Sequence, residues 1–401
     1  MSGVAPARVG YRDAFSSREF RALFAAQLVS IAGTSIAAVA LTVVVYRRSG
    51  SSLLASLTFA FGFLPYLLGG GLLGGIVDRF APRRLVSGCA LLATPLAAAM
   101  AWPSAPVGLL LALMFAVGTL NSLAGGALAA LTRSTVGAEA YIPARSLMRL
   151  AGQFAQIGGN ASGGVLLVVL TPSGALLLNA ASFAFAALTV RLTVADHPPS
   201  GDRSQARLVT DSLQGARWIL ALPELRRLLL LGWLVPMFSV APEALAAPYV
   251  AAHHGSASLV GWWLIALPVG VICGDVAGVR LLGPQAQRRL VGPAAAAGFL
   301  PYLAFVFDPS IPIGLALLVA SGACSLYALG LDARVRDASP PPLFARTMAL
   351  NQAGQMTLQG GGFALAGAVA QGIGPAGAVA AAGACGLGAT LVLFWSEVRR
   401  R

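Results

Sequence analysis

The chain has 401 residues, of which 57% are hydrophobic and only 10% charged, and its mean hydropathy is +0.79. That composition excludes an ordinary soluble fold, which has too little surface to hide so many apolar side chains, and places the chain in the membrane class. The net charge of +13 does not mark a nucleic-acid binder, because every one of the 27 basic residues is arginine and they cluster in short stretches between apolar runs.

Residues 1 to 22 are polar and carry Arg8, Arg12, Arg18 and Arg21, and a 24-residue uncharged run from Leu23 to Tyr46 follows. About 20 residues cross a bilayer core of roughly 30 Å, so this run is expected to remain as a span; it is too long for a signal-peptide core. Leu53 to Val77 is a second span. From Leu85 to Thr132 there are 48 residues without a charge, interrupted by Trp102-Pro103-Ser104-Ala105-Pro106, which predicts two helices and a tight turn. Arg133 to Arg149 is predicted as a polar loop running into helix 5, and Leu150 to Val190 divides at Thr171-Pro172-Ser173-Gly174 into helices 5 and 6.

Residues 195 to 225 form the longest polar segment, in which Val209, Leu213, Ala216 and Leu220 recur at helical spacing. They predict an amphipathic surface helix joining an N-terminal bundle, 1 to 194, to a C-terminal bundle, 226 to 401. The last six spans are expected over Leu228 to Val250, Leu259 to Leu282, Leu290 to Phe307, Ile311 to Leu331, Thr347 to Val369 and Pro375 to Trp395. With both termini on the cytoplasmic side, all arginines but Arg47 and Arg48 fall inside, as retention of positive charge demands. Trp102, Trp262 and Trp263 fall near outer ends and suit an interfacial belt. The four cysteines, Cys89, Cys273, Cys324 and Cys385, lie in apolar runs and read as small buried hydrophobes.

Arg79, Arg133 and Arg145 have counterparts Arg280, Arg334 and Arg346, each 201 residues later. The repeat predicts an all-α polytopic protein of twelve transmembrane helices in two pseudo-symmetric six-helix bundles, with a cavity between them near the midplane.

Between helices 2 and 3 stands Gly74-x-x-x-Asp78-Arg79-x-x-x-Arg83-Arg84. This pattern resembles the corresponding loop of the major facilitator superfamily, with Ala81 and Pro82 where that family usually has a glycine and a basic residue. The leading segment Ser17 to Phe24, the stretch Gly215-Ala216-Arg217-Trp218 and the following Leu222 to Arg226 are similar to the bacterial multidrug and enterobactin-exporter-like branch. The resemblance implies alternating access, with Gly74, Asp78, Arg79, Arg83 and Arg84 as a gate between the halves; a solvated topogenic loop is the plainer reading. Three positions depart from the exporters' pattern. Asn160 replaces a common proline in helix 5, Met114 to Leu131 carries no arginine, and Thr34 stands where relatives commonly place an acid.

Two acids fall inside predicted spans, Glu243 in helix 7 and Asp275 in helix 8. A charge there is costly, so both are candidates for proton coupling, since a carboxylate shielded from water can take up and release a proton as its surroundings alternate. The alternatives are an acid at the outer headgroups for Glu243 and a partner for Arg280 in the case of Asp275. Gln153, Gln156 and Asn160 share one face of helix 5, and Gln352, Gln355 and Gln359, with Asn351 beside them, share one face of helix 11. Amides this deep must face each other or a watery cavity rather than lipid. With Gln27, Thr34 and Asn121 they are candidates for a polar-spotted cavity. The absence of any lysine and of a phosphate-binding loop argues against an ATP-driven pump, and no catalytic or metal constellation stands out. The sequence therefore predicts a monomeric, cofactor-free secondary exporter of small apolar or amphiphilic molecules in the bacterial inner membrane, its partners being substrate, lipid and protons. An importer or uncoupled facilitator and a non-transporting membrane scaffold are the alternatives.

Overall fold

The computed structural model describes residues 11–65, 80–196, 216–340 and 343–398. It is 90% helical, and no strand occurs among the described residues. Side chains cap several of the helices. After the short α1 (Tyr11–Ser16), Ser17 accepts from the Phe20 amide to start α2 (Arg18–Ser49), and Ser51 accepts from the Leu54 amide to start α3 (Ser52–Phe63). Prolines open α4 (Pro82–Met100) and, after the long α5 (Val107–Val169), α6 (Pro172–Thr193), where a missing amide costs nothing. Residues 133 to 149, expected as a loop, are helical except for one residue. Gly137, at φ 77°, turns the chain between the two parts of α5, a conformation that glycine alone adopts cheaply. Part of the amphipathic helix expected over 209 to 220 lies outside the described residues; 216–221 is helical.

The expected helix 7 is broken twice. Pro236, Pro242 and Pro248 each lack an amide donor, and the segment divides into α7 (Pro223–Ser239), α8 (Ala241–Ala244) and α9 (Ala246–Ala252). Beyond it come α10 (Ala257–Leu281), the short α11 (Pro284–Arg289), and the interrupted stretch formed by α12 (Val291–Ala297) and α13 (Leu300–Leu303). They are followed by α14 (Ile311–Ala323), α15 (Tyr327–Ala338) and α16 (Phe344–Val398), which turns at Gly374, φ 77°. Among the described residues, seven stretches are long and apolar enough to cross a membrane on their own, including Arg18–Ser49, Val107–Gly137, Pro172–Thr193 and Ala257–Leu281.

Large apolar side chains point outward all along these helices, including Val169, Leu192, Leu281 and Phe307, as a surface solvated by lipid requires. Two of the cysteines belong to that surface. Cys273 and Cys385 are exposed and only Cys89 is fully buried, because on a helix that is apolar all round, composition does not say which side meets protein. All four thiols are free.

Arg83 and Arg84 of α4, Arg288 and Arg289 of α11 and Arg334 of α15 lie at one end of the bundle. The turns at Gly50, Trp102 to Pro106 and Gly374 lie at the other, where Arg48 donates to the Pro103 and Ala105 carbonyls at 2.6 and 2.7 Å. The two halves close on each other toward this arginine-poor end. A Cβ on Gly164 of α5 would stand 2.8 Å from the Gly261 Cα of α10, so the absence of side chains permits that crossing. Its counterpart joins α3 to α16, where Phe59 stacks on Phe363 at 5.3 Å and Gln371 Nε2 donates to Ser51 Oγ at 2.8 Å.

Candidate functional site

Of the loop motif, Gly74, Asp78 and Arg79 lie outside the described residues. Arg83 and Arg84 occupy the first turn of α4, where the positive end of the helix dipole disfavours them. Asp196 offsets this. Its Oδ2 lies 2.9 Å from Arg84 Nε and 3.4 Å from an Arg83 guanidinium nitrogen, and Arg83 also donates to the Val194 carbonyl at 3.1 Å. Both partners belong to the chain just beyond α6, so these two arginines pair within the first half of the molecule, not across to the second.

A cavity of about 330 Å³ lies among α2, α3, α4, α5 and α6. Polar groups enter it from separate helices: Gln27, Ser30 and Thr34 from α2, Asn121, Gln156 and Asn160 from α5, and Thr58 from α3. Apolar side chains make up most of the remaining wall, Phe59, Phe63, Met114 and Phe183 being the largest contributors. The second half reaches it through Glu243 and Met356. Thr34 Oγ1 lies 3.4 Å from Asn179 Oδ1, and Ser182 Oγ donates to the Asn179 carbonyl at 2.7 Å, which ties α2 to α6 behind the wall. A second cavity of about 130 Å³ shares Gln156, Asn160 and Glu243 with the first and adds Gln153, Trp263 and Leu318.

Glu243 therefore lies at the junction of two cavities, facing the amides of α5 rather than an outer headgroup layer. The short α8 that carries it is held from behind. Trp263 Nε1 donates to the Pro242 carbonyl at 2.8 Å, and the Trp263 ring stacks on Tyr249 at 4.4 Å. Trp263 is 1% exposed, which corrects its expected place in an interfacial belt; Trp102 and Trp262 are more than half exposed, as such a belt needs. Tyr302 OH donates to the Ser239 carbonyl at 2.9 Å.

The helix 11 amides are placed elsewhere. Helices 5 and 11 do not face one another: α5 packs on α2 and α10, and the start of α16 packs on α7 and α3. Asn351 is wedged against α7, with Trp233 Nε1 donating to its backbone carbonyl at 3.1 Å and its Oδ1 buried without a partner. Gln355 and Gln359 are partly buried and line neither cavity. Asp275 on α10 is also apart. One of its oxygens is buried and unpartnered, and no ion pair joins it to Arg280 among the described residues. Ser30 was missed although its signal was present, since it lies three residues after Gln27 and four before Thr34 on the same face of α2.

A family model described as transmembrane secretion effector matches residues 12–401. The chain belongs to that family of the major facilitator superfamily. Relatives of this secretion effector include the multidrug efflux pump Tap of Mycobacterium tuberculosis (strain ATCC 25618 / H37Rv), 28% identical, with 76% of this chain and 75% of the relative covered. The enterobactin exporter EntS of Escherichia coli O1:K1 / APEC is 27% identical over 95% of this chain and 92% of its own. Among solved structures, the nucleoside transporter NupG superposes with a TM-score of 0.72 at 12% identity, covering 94% of this chain and 99% of that one. A POT family transporter in complex with 5-aminolevulinic acid gives 0.71 at 12% identity, covering 94% and 96%. These similarities carry the fold. The chain is thus a multi-pass membrane transporter of the major facilitator type with efflux pumps among its relatives, and not an enzyme.

Proposed function

We propose that this secretion effector exports small apolar or amphiphilic molecules by alternating access between two halves, residues 1 to 194 and 226 to 401, driven by protons that enter against the substrate. Placing the arginine-rich end and both termini on the cytoplasmic side of a bacterial inner membrane makes the arginine-poor closure the outer gate. The observation that supports this reading best is the cavity: an apolar wall, neutral amides contributed by separate helices and one carboxylate at its closed end. A membrane scaffold has no use for buried polar groups facing a void, which cost stability unless something fills it. Glu243 joins the substrate cavity to the closing interface, so a proton on it changes the charge where the halves meet. Asp275 is the second coupling candidate, and Asp78 with its neighbouring arginines forms the inner gate.

The test is reconstitution into liposomes with an imposed pH gradient, following a panel of dyes in both directions. Outward, gradient-driven flux that collapses in Glu243→Gln is expected. Gradient-driven export that persists in Glu243→Gln combined with Asp275→Asn removes protons from the reading, and net accumulation in the opposite direction reverses it. Asp78→Asn is expected to slow transport while the protein still inserts; native turnover in that variant would leave the loop without a gating role.

A further inference from the structure

The two cavities have one ionisable side chain among their described lining residues, Glu243. No arginine or histidine accompanies it, and the carboxylate makes no hydrogen bond or ion pair with any described residue. A carboxylate in such surroundings has no protein cation among the described residues to balance its charge. Its neighbours cannot supply one. Gln153, Gln156 and Asn160 are neutral, Trp263 spends its N–H on the Pro242 carbonyl, and Tyr302 spends its hydroxyl on the Ser239 carbonyl. The position of the charge is also restrained, because the buried Trp263 holds the segment that bears it. The wall around it is otherwise apolar, with Phe59, Phe63 and Met114 among its side chains, and encloses a volume of about 330 Å³, within the range of roughly 300 to 1,000 Å³ usual for one drug-sized ligand.

We propose that Glu243 is the counter-ion of the substrate, and that the cavity selects lipophilic monovalent organic cations over neutral and anionic molecules of the same size. This rests on the export reading above and names its substrate class. The division of labour follows from the geometry: the first half supplies shape and hydrogen-bonding groups, while the second half supplies the charge. A bound cation is therefore held by both halves at once, and the same carboxylate cannot hold a proton while it holds the cation.

Equilibrium binding to the purified full-length protein in lipid nanodiscs tests the proposal, with empty nanodiscs subtracted and no gradient applied. The probes are tetraphenylphosphonium, tetraphenylborate and neutral triphenylphosphine oxide. Tetraphenylphosphonium should bind at least tenfold more tightly than tetraphenylborate. Glu243→Gln should weaken tetraphenylphosphonium at least tenfold while leaving triphenylphosphine oxide within twofold, and Glu243→Asp should retain most of the cation affinity. An unchanged thermal unfolding midpoint shows that each variant is folded. Equal affinities for the two ions, absence of tetraphenylphosphonium binding, or parallel loss of the cationic and neutral probes in Glu243→Gln overturns the proposal. Gradient-driven export of neutral dyes without cation selectivity would leave the export reading standing alone, whereas Glu243-dependent cation binding without flux in liposomes would remove the export reading only.

Discussion

The two halves of the chain share a helix plan and fill it differently. Among the described residues, the aromatic side chains with essentially no exposure are concentrated after residue 226: Trp263, Tyr249, Tyr302, Phe299, Phe305 and Phe363, against Phe20 and Phe183 before it. In the second half these rings interlock, Trp263 against Tyr249 and Phe305, and Phe305 against Tyr302. Small residues bring helices together in both halves, Gly270 of α10 and Gly322 of α14 doing so in the second. Gly33 of α2 is so close to Ser182 of α6 that a methyl group would collide, and Gly159 of α5 lies against Ala32 and Ser35. In the first half the space beside those crossings is left unfilled, and the larger cavity occupies it. The first half is thus the vessel of the larger cavity, and the aromatic wall of the second holds Glu243 at its rim.

The same contrast extends to the arginine-rich end. Arg83-Arg84-Leu85 and Arg288-Arg289-Leu290 are 205 residues apart, yet the first pair binds Asp196 beyond α6, whereas Arg288 binds Asp337 at the end of α15 at 2.5 Å. Equivalent cations are anchored to non-equivalent helices, so the two bases brace different partners.

If the second half is a packed wall, truncating its centre has the largest effect. Trp263→Ala should lower unfolding stability by ~3 kcal/mol, through lost ring contacts, a cavity and the lost bond to Pro242. Phe63→Ala, partly exposed on the cavity wall, should cost about half of that, because part of its surface already lacks partner atoms. Equal losses in a steric-trapping or denaturant titration would erase the distinction between the halves. Filling the vessel is the next test. Gly125 lines the cavity with open space where a Cβ would stand, so Gly125→Leu should leave stability unchanged or slightly raised, yet cut dye flux in liposomes about tenfold, equivalent to ~1.4 kcal/mol in the transport barrier. Gly314→Leu in the wall would drive a side chain into the Trp263 ring, 2.9 Å away, and should destabilise by ~2 kcal/mol. Thr42 and Thr58 share a hydrogen bond of 2.8 Å between α2 and α3, and Thr42→Val should cost only ~0.6 kcal/mol, the usual worth of such a bond between membrane helices. The smallest change is expected of Asp196→Ala. Its arginine partners are partly solvated, so stability should fall by no more than ~1 kcal/mol; a larger loss would mean the base of α4 supports the whole half.

Much of the scaffold was legible because it is written in continuous apolar length. The first span, the turn at Trp102 to Pro106 and the division at Thr171 all follow from local chemistry, whereas the breaks at the prolines of helix 7 were not foreseen. Gly137 and Gly374 were not singled out as kinks, since a glycine in a membrane helix serves close packing as often as a bend. Of the candidate site, Gln27, Thr34, Asn121, Gln153, Gln156, Asn160 and Glu243 converge on the joined cavities, but Asn351, Gln355 and Gln359 do not. Both sets show the same spacing. On α5 the amide face turns toward α2 and α10, while α16 is rotated so that Met356 reaches the cavity.

The sequence by itself determined the membrane class, the family and the order of apolar segments, because these depend on hydropathy summed over about 20 residues and on motifs in the chain. The tertiary structure alone decided which half is hollow, that Trp263 is a buried strut, that Cys273 and Cys385 face outward, and that Arg83 and Arg84 answer to Asp196. Each of these is a contact between distant segments, set by how every helix is rotated about its own axis. A residue's neighbours turn by roughly 100° with each step along a helix, and in a helix apolar all round no hydrophobic stripe reveals the side that packs.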